Sequence, residues 1–268
     1  MEIKKLSQDE NKVSFVLKKI DSVIANTIRR MVMEEVPVLA IEDVTFYKNN
    51  SALYDEMIAH RLGLVPLKTD LKSYNLKEEC KCKDKGCAMC QVKFKLDVKE
   101  KEMVYASDLK FNDPKVKAVY GKMPIVKLLK KQELTLDGIA VLGKGKEHSK
   151  WGPGLIYYRQ YPEIDIKKGN ENGVKVCPKN VFEFKNDKLS VKNLENCDLC
   201  DACSKVCDIE IKGKEDEFIF YVESFGQLDC KEILVKAVEM FEKKLDEFEK
   251  ALKWFLIISL FIHKPKDL

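Results

Sequence analysis

Near its start the chain alternates apolar and polar residues, and it then changes to an apolar spacing of three and four. Residues 13–17 follow the first pattern, which predicts a half-buried strand. Residues 23–32 follow the second, which predicts an amphipathic helix. Either Asp21 or Ser22 can cap this helix, and Pro37 ends it.

Two adjacent arginines, Arg29 and Arg30, lie off the apolar face of this predicted helix. A guanidinium offers several donors in a rigid fork, which suits contacts with another protein. The arrangement fits a helix that packs on one side and docks a partner on the other. For this helix considered alone, two solvated arginines are the simpler explanation.

The following part of the chain predicts mainly strands. Residues 38–47, 91–105 and 132–140 carry strand patterns, and residues 55–62 a short helix that ends at a glycine in a left-handed conformation. The loop that follows the last of these strands contains Gly-Lys-Gly-Lys, but it lacks the spacing and the helix of a phosphate-binding loop. We therefore interpret it as an ordinary basic loop.

A long apolar stripe dominates the C-terminal part of the chain. Its members recur at spacings of four and three, and they are Leu234, Val238, Phe241, Leu245, Phe248, Leu252 and Phe255. Such a repeat predicts a long helix with a seam for a second helix, although a helix buried in its own domain would show a similar pattern. The apolar tail at residues 254–262 is far shorter than the roughly 20 residues of a membrane span, so no membrane contact is expected.

Composition limits the classes of function. With 48 basic and 44 acidic residues among 268, the net charge is only +4, which is not the concentrated basic surface of a DNA-binding domain. No direct sequence-specific DNA contact is therefore expected. The N-terminus lacks a secretory signal, which predicts a cytoplasmic chain. Ten cysteines in such a chain indicate metal binding rather than disulfides.

Five of the cysteines resemble a ferredoxin pattern. Cys197, Cys200, Cys203 and Cys207 form the run, and Cys177 precedes a proline. In ferredoxins the three closely spaced cysteines of one run share a cluster with a remote Cys-Pro, which predicts one [4Fe–4S] cluster on Cys177, Cys197, Cys200 and Cys203. Cys207 is then left over, and a structural zinc site is the alternative.

A second group, Cys80, Cys82, Cys87 and Cys90, lies within eleven residues. Four thiolates at this spacing can close around one tetrahedral zinc ion, so zinc is predicted here. A second iron–sulfur cluster and a loop of free thiols are the alternatives. Cys230 is interpreted as a small buried residue.

Several segments resemble one family. They are Asn26, Arg29, Arg30, Pro37, residues 40–44, Asn49, Ser51, Asp55, Glu56, residues 59–67, residues 146–151, Pro153 and residues 223–228. These segments resemble the subunit on which multisubunit RNA polymerases assemble. That family includes the archaeal subunit designated D, the bacterial α N-terminal domain and the third-largest eukaryotic subunit. The archaeal branch fits best, and several of its members carry a ferredoxin-like insertion. The eukaryotic members resemble this chain in having a zinc-bound cysteine loop near residues 80–90.

The resemblance implies an α+β fold with three parts. Residues 1–46 and 216–268 would form a discontinuous dimerisation domain. Residues 47–164 would form an inserted β-rich domain that carries the Cys80–Cys90 metal loop, and residues 165–215 a small iron–sulfur module.

The resemblance also implies a scaffold without catalytic residues of its own. Its partner would be a small subunit of the same dimerisation fold, the archaeal subunit designated L, bound through the first and last helices. In the last helix the implied contacts are Leu234, Val238, Phe241, Leu245 and Phe248. Arg29, Arg30, His60 and Arg61 would seat the two large catalytic subunits. The alternative function is an iron–sulfur electron-transfer subunit of an oxidoreductase, which the ferredoxin-like run alone would support.

Overall fold

The computed structural model describes residues 1–82 and 85–262, with side chains as far as Trp254. The chain forms two compact units. Residues 1–29 and 156–223 form the first unit, and residues 30–155 and 224–268 the second. The three-part division implied by the family resemblance remains a prediction.

The fold mixes strands and helices, as the α+β prediction required. The strands described are β1 (Glu2–Gln8), β2 (Lys12–Lys18), β3 (Val38–Asn49), β4 (Gln91–Lys99), β5 (Met103–Tyr105), β6 (Lys110–Phe111), β7 (Pro124–Lys127), β8 (Glu133–Gly143), β9 (Gly154–Lys168), β10 (Phe182–Lys185), β11 (Lys188–Val191) and β12 (Asp208–Ser224). The helices described are α1 (Ser22–Glu35), α2 (Asp55–Gly63), α3 (Glu171–Val176) and α4 (Cys230–Ile262). Each strand and helix predicted from the sequence has a counterpart among them, and the segment at 91–105 is divided into β4 and β5.

The first unit is built on a four-stranded sheet in the order β1-β2-β12-β9. Strands β1, β2 and β12 pair antiparallel. On one face of the sheet the rings of Phe15 and Phe220 stack with their centroids 5.4 Å apart, and Tyr158 meets Phe220 at 5.3 Å. On the other face Val16 and Ile219 are completely buried. Strand β2 is therefore buried on both faces, not half-buried as its alternation predicted.

The cysteine-rich part of the first unit has a small apolar core. Strands β10 and β11 form an antiparallel hairpin, and the buried residues around it are Val181, Phe182, Leu189, Cys197, Cys203 and Ile209. Two of these six are cysteines of the ferredoxin-like run. The core of this segment therefore depends on its proposed metal ligands.

The second unit contains a four-stranded sheet in the order β3-β8-β4-β6. Alternate side chains of β4 are buried, namely Val92, Phe94, Leu96 and Val98, which confirms the alternation seen in the sequence. The same core takes in Ile58 and Leu62 of α2. The prediction of a left-handed glycine after α2 is wrong: Gly63 is the last residue of the helix, and the capping residue is Leu64, with φ −87°.

The Gly-Lys-Gly-Lys loop closes the C-terminal end of α1. The backbone N–H of Lys146 donates to the Glu34 carbonyl over 3.0 Å. A Cβ at Gly145 would lie 2.0 Å from the Met33 carbonyl oxygen, so only glycine allows this approach. The loop thus satisfies a helix carbonyl that would otherwise lack a partner.

Glu35 is a buried charged residue of the second unit. Its side chain is only 4% exposed and lies between two lysines: Lys244 Nζ is 2.6 Å and Lys144 Nζ 3.4 Å from its carboxylate oxygens. Burial acts to raise the pKa of Glu35, but the hydrogen bond and charge of Lys244, together with Lys144, outweigh burial and leave that pKa below its ordinary value. The carboxylate ties α1 to α4 and to the loop after β8.

Helix α4 buries one side against its own unit through Ile233, Ala237 and Met240. The stripe predicted from the sequence lies on another side of the helix, with Val235 outside both sets. Phe255, the last member of that stripe, and the apolar tail to residue 262 lie outside the residues whose side chains are described. Among the described residues, no helix has the length and apolar content that crossing a membrane requires.

Candidate metal centres and docking surfaces

The structure brings Cys80, Cys82, Cys87 and Cys90 together. Their sulfur atoms all lie within 4.8 Å of one another. Three of the separations are 3.5 Å for Cys80–Cys87, 3.6 Å for Cys82–Cys90 and 3.8 Å for Cys87–Cys90. Around a tetrahedral zinc ion with Zn–S bonds of about 2.3 Å, neighbouring sulfurs are about 3.8 Å apart. The four thiols are therefore spaced to hold one metal ion.

Local backbone geometry positions this tetrad. A 3₁₀ turn at Lys77–Glu79 leads into Cys80, and Cys90 immediately precedes β4. The backbone N–H of Cys87 points to the Cys90 sulfur over 3.3 Å. Gly86 has φ +77°, a conformation that favours glycine, where the loop turns back towards Cys87. One end of the tetrad is thus fixed by the sheet and the other by a short loop.

The thiols of this tetrad differ in acidity. Burial raises the pKa of Cys90 to about 12, whereas the backbone N–H of Met89 and the neighbouring thiols lower the pKa of Cys87 to about 7. A metal binds thiolates, so it must displace the proton of Cys90, and binding should strengthen as the pH rises.

Three of the other predicted ligands, Cys177, Cys197 and Cys203, belong to one apolar cluster of the first unit. Cys177 follows α3, and Cys197 follows a 3₁₀ turn at Leu194–Asn196. Burial, together with the charges of Cys177, Cys197 and Cys200, raises the pKa of Cys203 to about 11. Cys203 is therefore close enough to the other three cysteines for their charges to affect it.

The backbone of this run bends at both neighbours of Cys200. Leu199 and Asp201 have φ values of 60° and 59°, so the chain turns through left-handed conformations on each side of the cysteine. Cys197 and Cys203 are buried, whereas Cys200 is exposed. Among the described residues, the compact Cys80–Cys90 tetrad is the one group that meets the spacing of a single ion. A cuboidal cluster holds its thiolates further apart, because each binds a different iron.

The two remaining cysteines have other surroundings. The Cys207 sulfur lies 3.6 Å from the side-chain oxygen of Asn170, at the start of α3. Cys230 is buried at the first residue of α4, in accord with its interpretation as a small buried residue. That Cys207 is left over from the ligand set stays a prediction.

Both arginines of α1 contact their own helix. Arg29 donates to the side-chain oxygen of Asn26 over 3.0 Å and 3.1 Å. Arg30 makes a two-pronged contact with Glu34, with both distances 3.0 Å, and its side chain is 55% exposed. A partner carboxylate at Arg30 would have to share this fork with Glu34.

The stripe on α4 is largely exposed. Val238 is 51%, Leu245 50% and Phe248 62% exposed, and Leu252 is exposed as well. Leu234 and Phe241 are half-buried. Because an adjacent side of α4, about a quarter turn away, already packs in its own unit, the stripe is an additional apolar surface. Val23 and Ile24 at the start of α1 are exposed too, although the sequence pattern placed them on a packed face.

Helix α2 carries a second exposed surface. His60 and Arg61 are exposed, and Arg61 donates to the Pro124 carbonyl over 2.7 Å. Tyr54, Met57 and Leu64 are exposed beside them, and sequence reasoning did not single out these three. The sequence could have indicated them, because the periodicity of α2 assigns Ile58 and Leu62 to the core side and leaves these three residues off it.

The comparisons with known proteins agree that this chain is similar to RNA polymerase subunits. A family described as "RNA polymerase Rpb3/RpoA insert domain" matches residues 41–156. DNA-directed RNA polymerase subunit Rpo3 of Methanosphaera stadtmanae is 41% identical over 261 residues, which cover 92% of this chain and 96% of the relative. The Rpo3 subunits of Archaeoglobus fulgidus and Pyrococcus horikoshii are 38% and 34% identical, and each comparison covers 94% of this chain and 98% of the relative.

Proposed function

The chain belongs to the Rpo3 family of DNA-directed RNA polymerase subunits, and on that premise we propose that it is a non-catalytic assembly scaffold within the polymerase. The observation that carries the proposal is the exposed apolar stripe on the 33-residue helix α4. An exposed apolar seam of this length is typical of a helix that pairs with another protein.

The partner that we propose for α4 is the small polymerase subunit of the same dimerisation fold, the one designated L in archaea. Its own helix would cover Val238, Leu245 and Phe248. The family resemblance also implies a contact of this partner with the first helix, α1. In this proposal residues 1–46 and 216–268 act together as the dimerisation domain.

The two large catalytic subunits are the partners proposed for Arg29, Arg30 and the exposed side of α2. The exposed side of α2 combines Arg61 with Tyr54, Met57 and Leu64, and interfaces are commonly enriched in arginine, tyrosine and methionine. His60 and Arg61 would contribute at its polar edge. No DNA contact is part of the proposal.

Electron transfer is not favoured as the main function. The relatives that match more than nine-tenths of the chain are polymerase subunits. The ferredoxin-like run then belongs to a segment of an assembly subunit. We propose that its metal has a structural role and makes complex formation sensitive to oxygen.

For the Cys80–Cys90 tetrad we propose zinc. The sulfur spacing fits one tetrahedral ion, and four thiolates form a closed structural site without an open coordination position. When bound, the ion would cross-link the loop that leads into β4. The proposed role of these four residues is to hold that loop against the sheet of the second unit.

For Cys177, Cys197, Cys200 and Cys203 we propose a [4Fe–4S] cluster. The charges of the other three thiols raise the pKa of Cys203, and Cys197 and Cys203 are both buried. These two observations support a shared ligand set. When bound, the cluster would join α3 to the run after the β10–β11 hairpin. Its identity as an iron–sulfur cluster rests on the ferredoxin-like spacing.

Purification of the tagged chain from its native host tests the scaffold proposal. We expect the wild-type chain to bring down a small subunit and both large subunits. Replacing Arg29 and Arg30 by Ala should keep the small subunit but reduce recovery of a large subunit about tenfold or more. Each charge-assisted hydrogen bond contributes about 1.5–3 kcal/mol, and each 1.4 kcal/mol corresponds to a factor of ten.

The control removes another adjacent pair of exposed cations, Lys130 and Lys131, by the same change to Ala. It should leave recovery of all subunits unchanged. Normal assembly of the Arg29→Ala, Arg30→Ala chain at physiological salt would refute the role of the arginines. Failure of the wild-type chain to recover any polymerase subunit would refute the scaffold.

Metal analysis tests the two sites separately. Protein purified without oxygen should contain about four irons and one zinc per chain, by the ligand numbers of the two groups. Cys82→Ser should lower zinc and leave iron unchanged. About eight irons per chain would contradict zinc at the tetrad and assign a second cluster to it.

A further inference from the structure

Arg159 of β9 stands out because the chain uses arginine rarely. Of its 48 basic residues, four are arginines, at positions 29, 30, 61 and 159. Where charge alone is needed, this chain uses lysine. An arginine in such a chain indicates a contact that needs several donors in a fixed plane.

Its contacts run from the sheet of the first unit to the cysteine run. One terminal nitrogen, Nη2, donates to the backbone carbonyl of Glu195 and, over 2.6 Å, to the hydroxyl of Tyr221 on β12. The other, Nη1, is 3.5 Å from the carbonyl of Asn196. Arg159 thus holds the two carbonyls that directly precede Cys197.

Neighbouring side chains reinforce the same turn. The Glu195 carboxylate lies 3.5 Å from the hydroxyl of Tyr161 and 3.7 Å from Nζ of Lys4. The guanidinium is also 5.3 Å from the Tyr221 ring centroid. The 3₁₀ turn before Cys197 is therefore fastened to β9, β12 and β1 through side chains.

The position of the guanidinium has an energetic cost. Within the described structure its Nε is buried without a hydrogen-bond partner, and a buried polar group without a partner destabilises the folded state.

We propose that Arg159 is a positioning residue for the metal site: it docks the turn before Cys197 onto the sheet. The inference rests on the cluster proposed above. It goes further by naming a residue outside the cysteine pattern that determines how firmly the metal is held. Groups that orient metal ligands in this way commonly change metal affinity 10- to 100-fold when they are replaced.

The test uses the full chain with two variants, Arg159→Met and Arg159→Lys, and Lys188→Met as the control. Lys188 is an exposed lysine of the β10–β11 hairpin in the same unit. Iron release to a chelator, followed by visible absorbance, should be about 10- to 100-fold faster in Arg159→Met and unchanged in the control. Arg159→Lys should also release iron faster than wild type, because one ammonium cannot span both carbonyls and Tyr221. If Arg159→Lys released iron at the wild-type rate, positive charge alone would account for the effect, and the positioning role would be overturned.

Two further measurements separate this inference from the cluster proposal. In metal-free protein, Arg159→Met should speed amide exchange at residues 194–197 about tenfold, the effect of about 1.4 kcal/mol, and leave the centre of β2 unchanged. Unaltered exchange there would overturn the inference whether or not wild-type protein binds iron. An absence of iron from anaerobic wild-type protein would instead refute the cluster. Thermal unfolding midpoints equal to wild type in both Arg159 variants, together with faster iron release, would show that the effect is local.

Discussion

The Cys203→Ser variant should lose its iron, and the cysteine-rich segment of its first unit should unfold locally. The segment has six buried core residues, of which Cys197 and Cys203 are two. Such a core is too small to stabilise about forty residues alone, so metal binding must supply much of the folding free energy. Amide exchange at residues 177–203 should become at least about a hundredfold faster, which corresponds to about 2.7 kcal/mol of lost protection.

The matched control for this change is Cys207→Ser. It makes the same atomic replacement in the same segment, at a thiol that contacts Asn170 and is left out of the proposed ligand set. It should keep its iron and its exchange protection. Equal iron loss in the two variants would contradict the proposed ligand set. In both, the centre of β2 and α4 should remain protected, because their cores do not include these cysteines.

Transcription provides a second check on the role of the cluster. A structural cluster predicts that an assembled polymerase needs no electron flow through it. Reversible loss and return of activity as an intact cluster is reduced and reoxidised would contradict the structural role.

Val238→Asp should abolish pairing with the small subunit. Val238 is 51% exposed in the chain alone and would be covered in the proposed complex. Burial of a valine contributes about 1.5–3 kcal/mol, and an unpaired buried carboxylate adds a further cost. We expect at least about a hundredfold weaker binding, measured by co-purification or calorimetry with the small subunit.

Val235→Asp is the matched control. Val235 is also 51% exposed on α4, but at about 100° per residue it lies about a quarter turn from the stripe. The control should bind the small subunit almost as well as wild type. Equal loss of binding in both variants would contradict the assigned seam.

The wild-type chain expressed alone should self-associate through the same stripe, and Val238→Asp should reduce this. Co-expression with the small subunit should give a soluble one-to-one complex. Light scattering distinguishes these states, and a stable wild-type monomer would contradict a dimerisation helix.

Periodicity and spacing were sufficient for the elements with a regular apolar pattern and for the Cys80–Cys90 group, but they did not predict β9 or β12. The alternation at residues 91–99 required a half-buried strand because side chains of a strand point to opposite faces, and β4 buries Val92, Phe94, Leu96 and Val98 accordingly. The close spacing of Cys80, Cys82, Cys87 and Cys90 similarly limited how far apart their sulfurs could lie. These are local properties, and local sequence carries them.

Periodicity could not say which faces would be covered. The stripe of α4 and a packed core face have the same spacing, and only the burial of Ile233, Ala237 and Met240 shows that the helix already has a core side. Val23 and Ile24 illustrate the reverse case, since their helical pattern suggested packing and they are exposed in the chain alone. Covering a face requires partners distant in sequence, which a pattern of about twenty residues does not contain.

The contacts that organise the sites depend on distant parts of the chain. Glu35 meets Lys244 across 209 positions, and Arg159 reaches Glu195 across 36. Nothing in the residues around Glu35 distinguishes a buried carboxylate from a solvated one, and nothing around Arg159 indicates a cysteine run. Local chain stereochemistry encodes helices, strands and ligand spacing, whereas the partner of a buried charge is chosen when strands and helices pack together.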